Sequence, residues 1–401
     1  FPGWNEGNPF RRGWAGRRGI QVPVSYTNRY GALIRGDVFA PLPGAKDPYT
    51  GKRLKPPYPG VVVTTGSVQG SERMYFWLAQ DLAERGYVVL TYDVQGQGRS
   101  ETFPHQNDQV SALPFCNPLA TPAEGEEYGC PGVPAQQSSN FVYGTLDALD
   151  FFTSTPRKPY RNPNGGDQPV NEFNPLWKLF DRSPDERTAT PGRTTRIAII
   201  GHSLGAFAVS YVQGVDRRVE TVVALDKLSG PGRSFVGDNT ATPVVPALGV
   251  QSEYGFSVNP YWLSGGSSIQ PQPRSPDQAP DPKREQATGF DAWRKAGIDT
   301  MLIVPRASTH LEYTDIPYAL PASRYGQAFT SHYVQAWLDR YLKHRAAQPL
   351  FATTIKYLEP VAVGKWSPVT LERAKQLSFY YCSGWAIGES VNLDPGGVGG
   401  C

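Results

Sequence analysis

Apolar and polar positions alternate over Ile20 to Tyr26 and again over Ala32 to Ala40, which predicts two antiparallel strands around a turn at Asn28–Gly31. After a Pro-rich loop over residues 41–59 the pattern changes. Val61–Val63, Tyr87–Tyr92, Ile197–Ile200, Val219–Leu225, Val244–Val250 and Thr300–Val304 are short, continuous apolar runs, as strands buried on both faces require. Between them lie stretches with helical spacing. Ser71 can cap a helix that Gly86 stops, and Ser138 to Phe152 carries Phe141, Leu146, Leu149 and Phe152 on one stripe. Leu204–Val212, Lys283–Ala296 and Ala322–Arg345 complete the set. Strands alternating with helices predict an α/β fold with a mostly parallel central sheet and helices on both faces.

That body takes in residues 1–345. Residues 1–20, with Trp4 and Trp14 among Gly and Arg, read as an arm packed against it. Stretches 101–137 and 155–193 show no period and read as inserts, and residues 346–401 read as a small C-terminal extension. Ligands of such sheets bind beyond the carboxyl ends of the strands.

The candidate chemistry gathers there. The run Arg196–Ile200 breaks into Gly201-His202-Ser203-Leu204-Gly205, and a helical pattern follows directly. Strand, Gly-x-Ser-x-Gly, helix is the nucleophile-elbow pattern, in which a strained turn lifts a serine hydroxyl above the sheet. Ser203 is therefore the candidate nucleophile. It needs a base. Of five histidines, His202 sits inside the elbow, His332 and His344 lie in the closing helix, and His105 falls in an irregular loop. His310 follows the last core strand and is the candidate base. The acid that orients it is left open between Asp226 and Glu253, which end successive strands. Oxyanion donors are expected at Leu204 N–H and at Ser67 N–H, with Val68 as fallback. Asp93–Ser100 is Gly-rich but lacks G-x-G-x-x-G and a following helix, which excludes a dinucleotide site.

Composition narrows the setting. A net charge of +3 over 401 residues, with no long basic run, gives no reason to expect nucleic acid. No apolar stretch reaches the roughly 18 residues of a membrane span. The chain begins at Phe1 without Met or an apolar leader, so it reads as a processed product. Four cysteines fall into two local pairs, Cys116 with Cys130 and Cys382 with Cys401, each bracketing Pro- or Gly-rich sequence, and no C-x-x-C or Cys/His cluster suggests a metal. Two disulfides and an extracellular location are expected. No metal or organic cofactor is implied, and oligomeric state is not readable.

Together these residues resemble the α/β-hydrolase superfamily, whose order of serine, acid and histidine they follow. The likeness spans about residues 58–345. It is nearest to the platelet-activating-factor acetylhydrolases and looser to secreted bacterial lipases and cutinases. Gly201-His202-Ser203-Leu204-Gly205 matches that family's Gly-His-Ser-x-Gly, and Ala224-Leu225-Asp226 matches the Ala-Leu-Asp that carries its acid. Ser252-Glu253-Tyr254 resembles a following Ser-Glu-Tyr segment that is not catalytic there, so the resemblance selects Asp226. Thr65-Gly66 stands where the family has His-Gly, and Lys227 where an aromatic is common. The resemblance implies a secreted serine carboxylic-ester hydrolase acting on a small-molecule or lipid ester through an acyl-enzyme. An amide, peptide or thioester hydrolase with the same three residues, or a non-catalytic binding protein on this fold, are the alternatives.

Overall fold

The computed structural model describes residues 7–67, 70–102, 137–231, 241–256, 258, 276–315 and 323–401. The two alternating runs form β1 (Gly19–Thr27) and β2 (Leu33–Pro41). The continuous apolar runs form β3 (Gly60–Thr64), β4 (Val88–Tyr92), β5 (Ile197–His202), β6 (Val219–Leu225), β7 (Ala247–Val250) and β8 (Thr300–Ile303). Helices α1 (Phe76–Glu84), α2 (Ser138–Thr153), α3 (Leu204–Val215), α4 (Gly289–Lys295) and α5 (Gly326–Lys343) alternate with them.

The strand order is β1-β2-β4-β3-β5-β6-β7-β8, with β3 to β8 parallel and β2 antiparallel to both neighbours. This is the α/β-hydrolase fold. Period-two alternation along the buried strands feeds two cores. Val61, Val63, Ala198, Ile200, Val223 and Leu225 pack with Trp77 and Leu78 of α1 and Phe329 and Trp337 of α5. Val62, Ile197, Ile199, Val222 and Ala224 pack on the opposite face with Phe141 and Phe152 of α2, Val209 and Val212 of α3, and Trp293 of α4.

The expected boundary at 345 is not a boundary in the sheet. Beyond a separate hairpin, β9 (Thr354–Ala362) with β10 (Lys365–Glu372), the chain returns as β11 (Gly384–Ile387) and β12 (Ser390–Asn392). Strand β11 pairs antiparallel with β8, so the tail extends the central sheet to ten strands instead of standing apart as an appendage. Backbone pairing and the buried Trp385 and Ile387 of β11, which join the core, recruit it. Cys382 and Cys401 are joined in a disulfide, whereas the expected Cys116–Cys130 pair lies outside the described residues. Among the described residues no helix is long and apolar enough to cross a membrane.

The insert at 155–193 covers an edge. Asn162 and Asn171 side chains accept from the backbone N–H groups of Thr27 and Ser25 on β1, whose open edge would otherwise be exposed. Farther on it reaches Arg196, Glu220 and His344, at the amino ends of β5 and β6 and the end of α5. The part around Asp185 and Ala189 therefore lies at the opposite end of the strands from Ser203, whereas Asn162 and Asn171 meet the carboxyl end of β1. The arm at residues 7–18 packs as expected, with Trp14 buried and its Nε1 donating to Glu84 Oε1 at 2.7 Å. Trp4 lies outside the described residues.

Candidate active site

Ser203 joins β5 to α3 with φ 56° and ψ −120°, a backbone state that L residues adopt only when their surroundings impose it. The flanking glycines make that turn possible. A Cβ on Gly201 would stand 2.1 Å from Gly205 O, and one on Gly205 would stand 2.4 Å from Thr65 O. Helix, strand and the loop after β3 approach too closely here for any side chain.

Asp226 follows β6 directly, and His310 opens a short turn after β8. His310 Nδ1 lies 2.6 Å from Asp226 Oδ2, and its Nε2 lies 2.9 Å from Ser203 Oγ. Asp226 is buried, which alone would raise its pKa. Hydrogen bonds from His310 and Ser252 and the nearby Lys227 charge outweigh that and hold it below the usual carboxylate range. An ionised Asp226 requires a proton on Nδ1, so in the neutral imidazole it is Nε2 that carries the lone pair facing the Ser203 hydroxyl. That lone pair can accept the serine proton.

Glu253 is not brought to His310 Nδ1. It follows β7, is 2% exposed, and accepts hydrogen bonds from Ala307 N–H and, at 2.8 Å, from Ser378 Oγ. Position at a strand end did not separate the two acids. The landing of the His310 loop does.

The loop after β3 lies beside the nucleophile, since a Cβ on Gly66 would be 3.2 Å from Ser203 Cβ. Ser67 follows it, while Val68 falls outside the described residues. Leu204 is the first residue of α3, where backbone N–H groups have no partner within the helix.

Sequence reasoning missed Tyr75. Its hydroxyl accepts from Gly66 N–H at 2.9 Å and lies 2.7 Å from His202 Nδ1, and His202 Nε2 lies 2.8 Å from His310 O. Burial, reinforced by the neighbouring His310, pushes His202 down to about 3, so it is neutral. The proton on Nε2 then donates to His310 O, and Nδ1 accepts from Tyr75. One buried chain thus ties the Gly66-Ser67 loop to the backbone of His310. Tyr75 and His202 are 127 positions apart, and no local pattern announces the pair.

Phe256 was also not foreseen. It is 65% exposed, with its ring 4.8 Å from that of His310, and puts an apolar face beside that imidazole. Lys227, where the family resemblance departs, is buried and lies 3.4 Å from Glu285, which also pairs with Arg284 and Gln251. His332 and His344 bind Pro349 O and Asp185 Oδ2, away from the site, and His105 lies outside the described residues.

No protein-family model and no curated protein matches the chain. Among solved structures, a ferulic acid esterase from Streptomyces cinnamoneus is similar, with a TM-score of 0.45 over 81% of this chain and 89% of its own at 18% sequence identity. The chemistry therefore rests on the side chains themselves.

Proposed function

We propose that this chain is a serine hydrolase of carboxylic esters, with Ser203 as nucleophile, His310 as base and Asp226 as the acid that orients it. The observation that carries this is His310 spanning 2.9 Å to Ser203 Oγ and 2.6 Å to Asp226 Oδ2. His310 Nε2 takes the serine proton as Oγ attacks the acyl carbon. The tetrahedral oxyanion is met by the N–H groups of Ser67 and Leu204, and the proton passes to the leaving alcohol. Water, activated by the same imidazole, then releases the acid from the acyl-enzyme. The substrate is a small ester whose apolar portion rests against the exposed Phe256 ring. The Cys382–Cys401 disulfide supports an extracellular setting. Residues 7–401 act as one catalytic unit, because the tail is hydrogen-bonded into the same sheet.

The test is turnover of p-nitrophenyl esters from acetate to palmitate, with matched anilides alongside. Ser203→Ala is expected to abolish it, and Asp226→Asn to lower kcat by about 10⁴-fold through the wrong imidazole tautomer. Glu253→Gln is expected to lose no more than about tenfold. A crippled Glu253→Gln with an active Asp226→Asn would move the acid one strand along.

A further inference from the structure

We propose that the C-terminal extension braces the His310 loop, with Glu253 as the positioning residue through which Ser378 holds it. The inference rests on the hydrolase reading for its kinetic consequence, but the contacts stand by themselves. The loop from Pro305 to His310 is held on two sides. On one, Glu253 N–H donates to Ser308 Oγ at 3.0 Å, Tyr254 N–H to Ser308 O at 3.0 Å, and His310 N–H to Gly255 O at 2.8 Å. On the other, Arg306 N–H donates to Gln376 O at 2.7 Å and its guanidinium to Leu377 O and Ala374 O at 3.1 and 3.0 Å, while Phe379 lies 3.5 Å from it. Ser378 N–H donates to Val304 O at 2.9 Å, and Val304 N–H to Ser383 Oγ at 2.9 Å, so the end of β8 is clamped as well.

The Glu253 carboxylate joins the two sides. One oxygen accepts from Ser378 Oγ at 2.8 Å and the other from Ala307 N–H. Ser378 Oγ in turn accepts from Tyr380 and Tyr381 N–H at 3.0 and 3.1 Å, which points its own proton at Glu253. Ala307 needs such support: with φ at 56° it is a Cβ-bearing residue in the left-handed region, and such a state persists only where neighbours over-determine it. Three residues on is His310, whose placement against Ser203 and Asp226 sets the proton transfer. A buried carboxylate one strand from the acid thus acts on geometry and touches no reacting atom.

The test compares Ser378→Ala, Glu253→Ala and Glu253→Gln in the full chain by p-nitrophenyl ester kinetics and by amide hydrogen exchange over residues 304–311. A misplacement on the ångström scale costs up to about a hundredfold. Glu253→Ala is expected to lose about that in kcat, and Ser378→Ala about tenfold, with KM within about twofold in both. Glu253→Gln keeps an acceptor for Ala307 N–H but sets an amide NH2 against the Ser378 proton, so it is expected to match Ser378→Ala, about tenfold down in kcat and far from the loss that an acid in the proton relay would show. Exchange over 304–311 should quicken by about tenfold in the two alanine variants while the rest of the sheet is unchanged. If Glu253→Ala does not fold, Ser378→Ala carries the test. Unchanged exchange and kcat in a folded Ser378→Ala would overturn the brace. Absence of any ester turnover in the wild type would overturn the hydrolase reading instead, and the exchange rates would still decide the brace.

Discussion

Tyr75→Phe removes one oxygen from the interior and leaves the ring packing intact. That hydroxyl serves two buried groups, accepting from Gly66 N–H and donating to His202 Nδ1. No cavity forms, so the cost is that of two polar atoms left unpaired, at about 1–3 kcal/mol each. The expected loss is therefore ~2–6 kcal/mol, read as a lowered urea midpoint with an unchanged slope. Activity should fall for a separate reason. Gly66 precedes Ser67, the proposed oxyanion donor, and loss of one such donor typically costs 10²–10³ in kcat. Displacing the donor without deleting it should cost about 10²-fold, with KM nearly constant, because the contact matters in the transition state. The paired assay is denaturation by fluorescence and steady-state ester hydrolysis on one preparation. A Tyr75→Phe protein as stable and as active as wild type would refute the chain from Gly66 to His310.

Other expectations follow from single contacts. Gly205→Ala places a methyl 2.4 Å from Thr65 O, where only backbone can yield, and should destabilise by ~1–3 kcal/mol with loss of turnover; a neutral result would contradict the close approach. Phe256→Ala should raise KM about tenfold for long-chain esters and little for acetate, since an apolar contact of ~1.5 kcal/mol is lost; equal effects on both would remove Phe256 from the substrate's path. Cys401→Ser opens a 19-residue separation and should lower stability by up to ~3 kcal/mol, seen as a matching drop when the wild type is reduced. Stability should peak near pH 6.5, since burial pushes His202 and His332 down to about 3 and about 4 and stability is lost as the pH falls below the ordinary histidine range. Burial pushes Glu220 and Glu312 up to about 8, so between the ordinary glutamate range and pH 8 these two groups bind more protons in the folded state than in the unfolded, and their contribution falls as pH rises. Asp339 is held at about 2, its burial outweighed by Lys343, Arg85 and Arg345, so its contribution is present above about pH 4 and is lost toward pH 2. Urea midpoints that climb from pH 6.5 to 8 would contradict the burial of the two glutamates.

The central sheet was legible because β3 to β8 are buried on both faces, and burial writes itself as unbroken apolar runs. The tail was not, since β11 and β12 are four and three residues long and the one apolar alternation there, Trp385 and Ile387, is too short to stand out as a strand. In β10 only Leu371 is buried, so the strand reads as a polar loop. The predicted helix at 283–296 is shorter, Gly289–Lys295, because Gly289 N–H donates to Leu228 O at 3.1 Å and not to a carbonyl of the preceding turn. Ser203 could be picked out because an elbow is a local device. Asp226 and Glu253 could not be separated by position, because they end neighbouring strands and only the path of the 304–310 loop chooses between them. Tyr75 and Phe256 reach the site through tertiary packing alone.

The most direct measurement is to treat the protein with a fluorophosphonate, follow ester turnover as it reacts, and locate the adduct by peptide mass spectrometry. One equivalent on Ser203, with activity lost in proportion and no reaction in Ser203→Ala, is the expected result. Label on another residue, or full turnover with Ser203 modified, would contradict its role as the nucleophile.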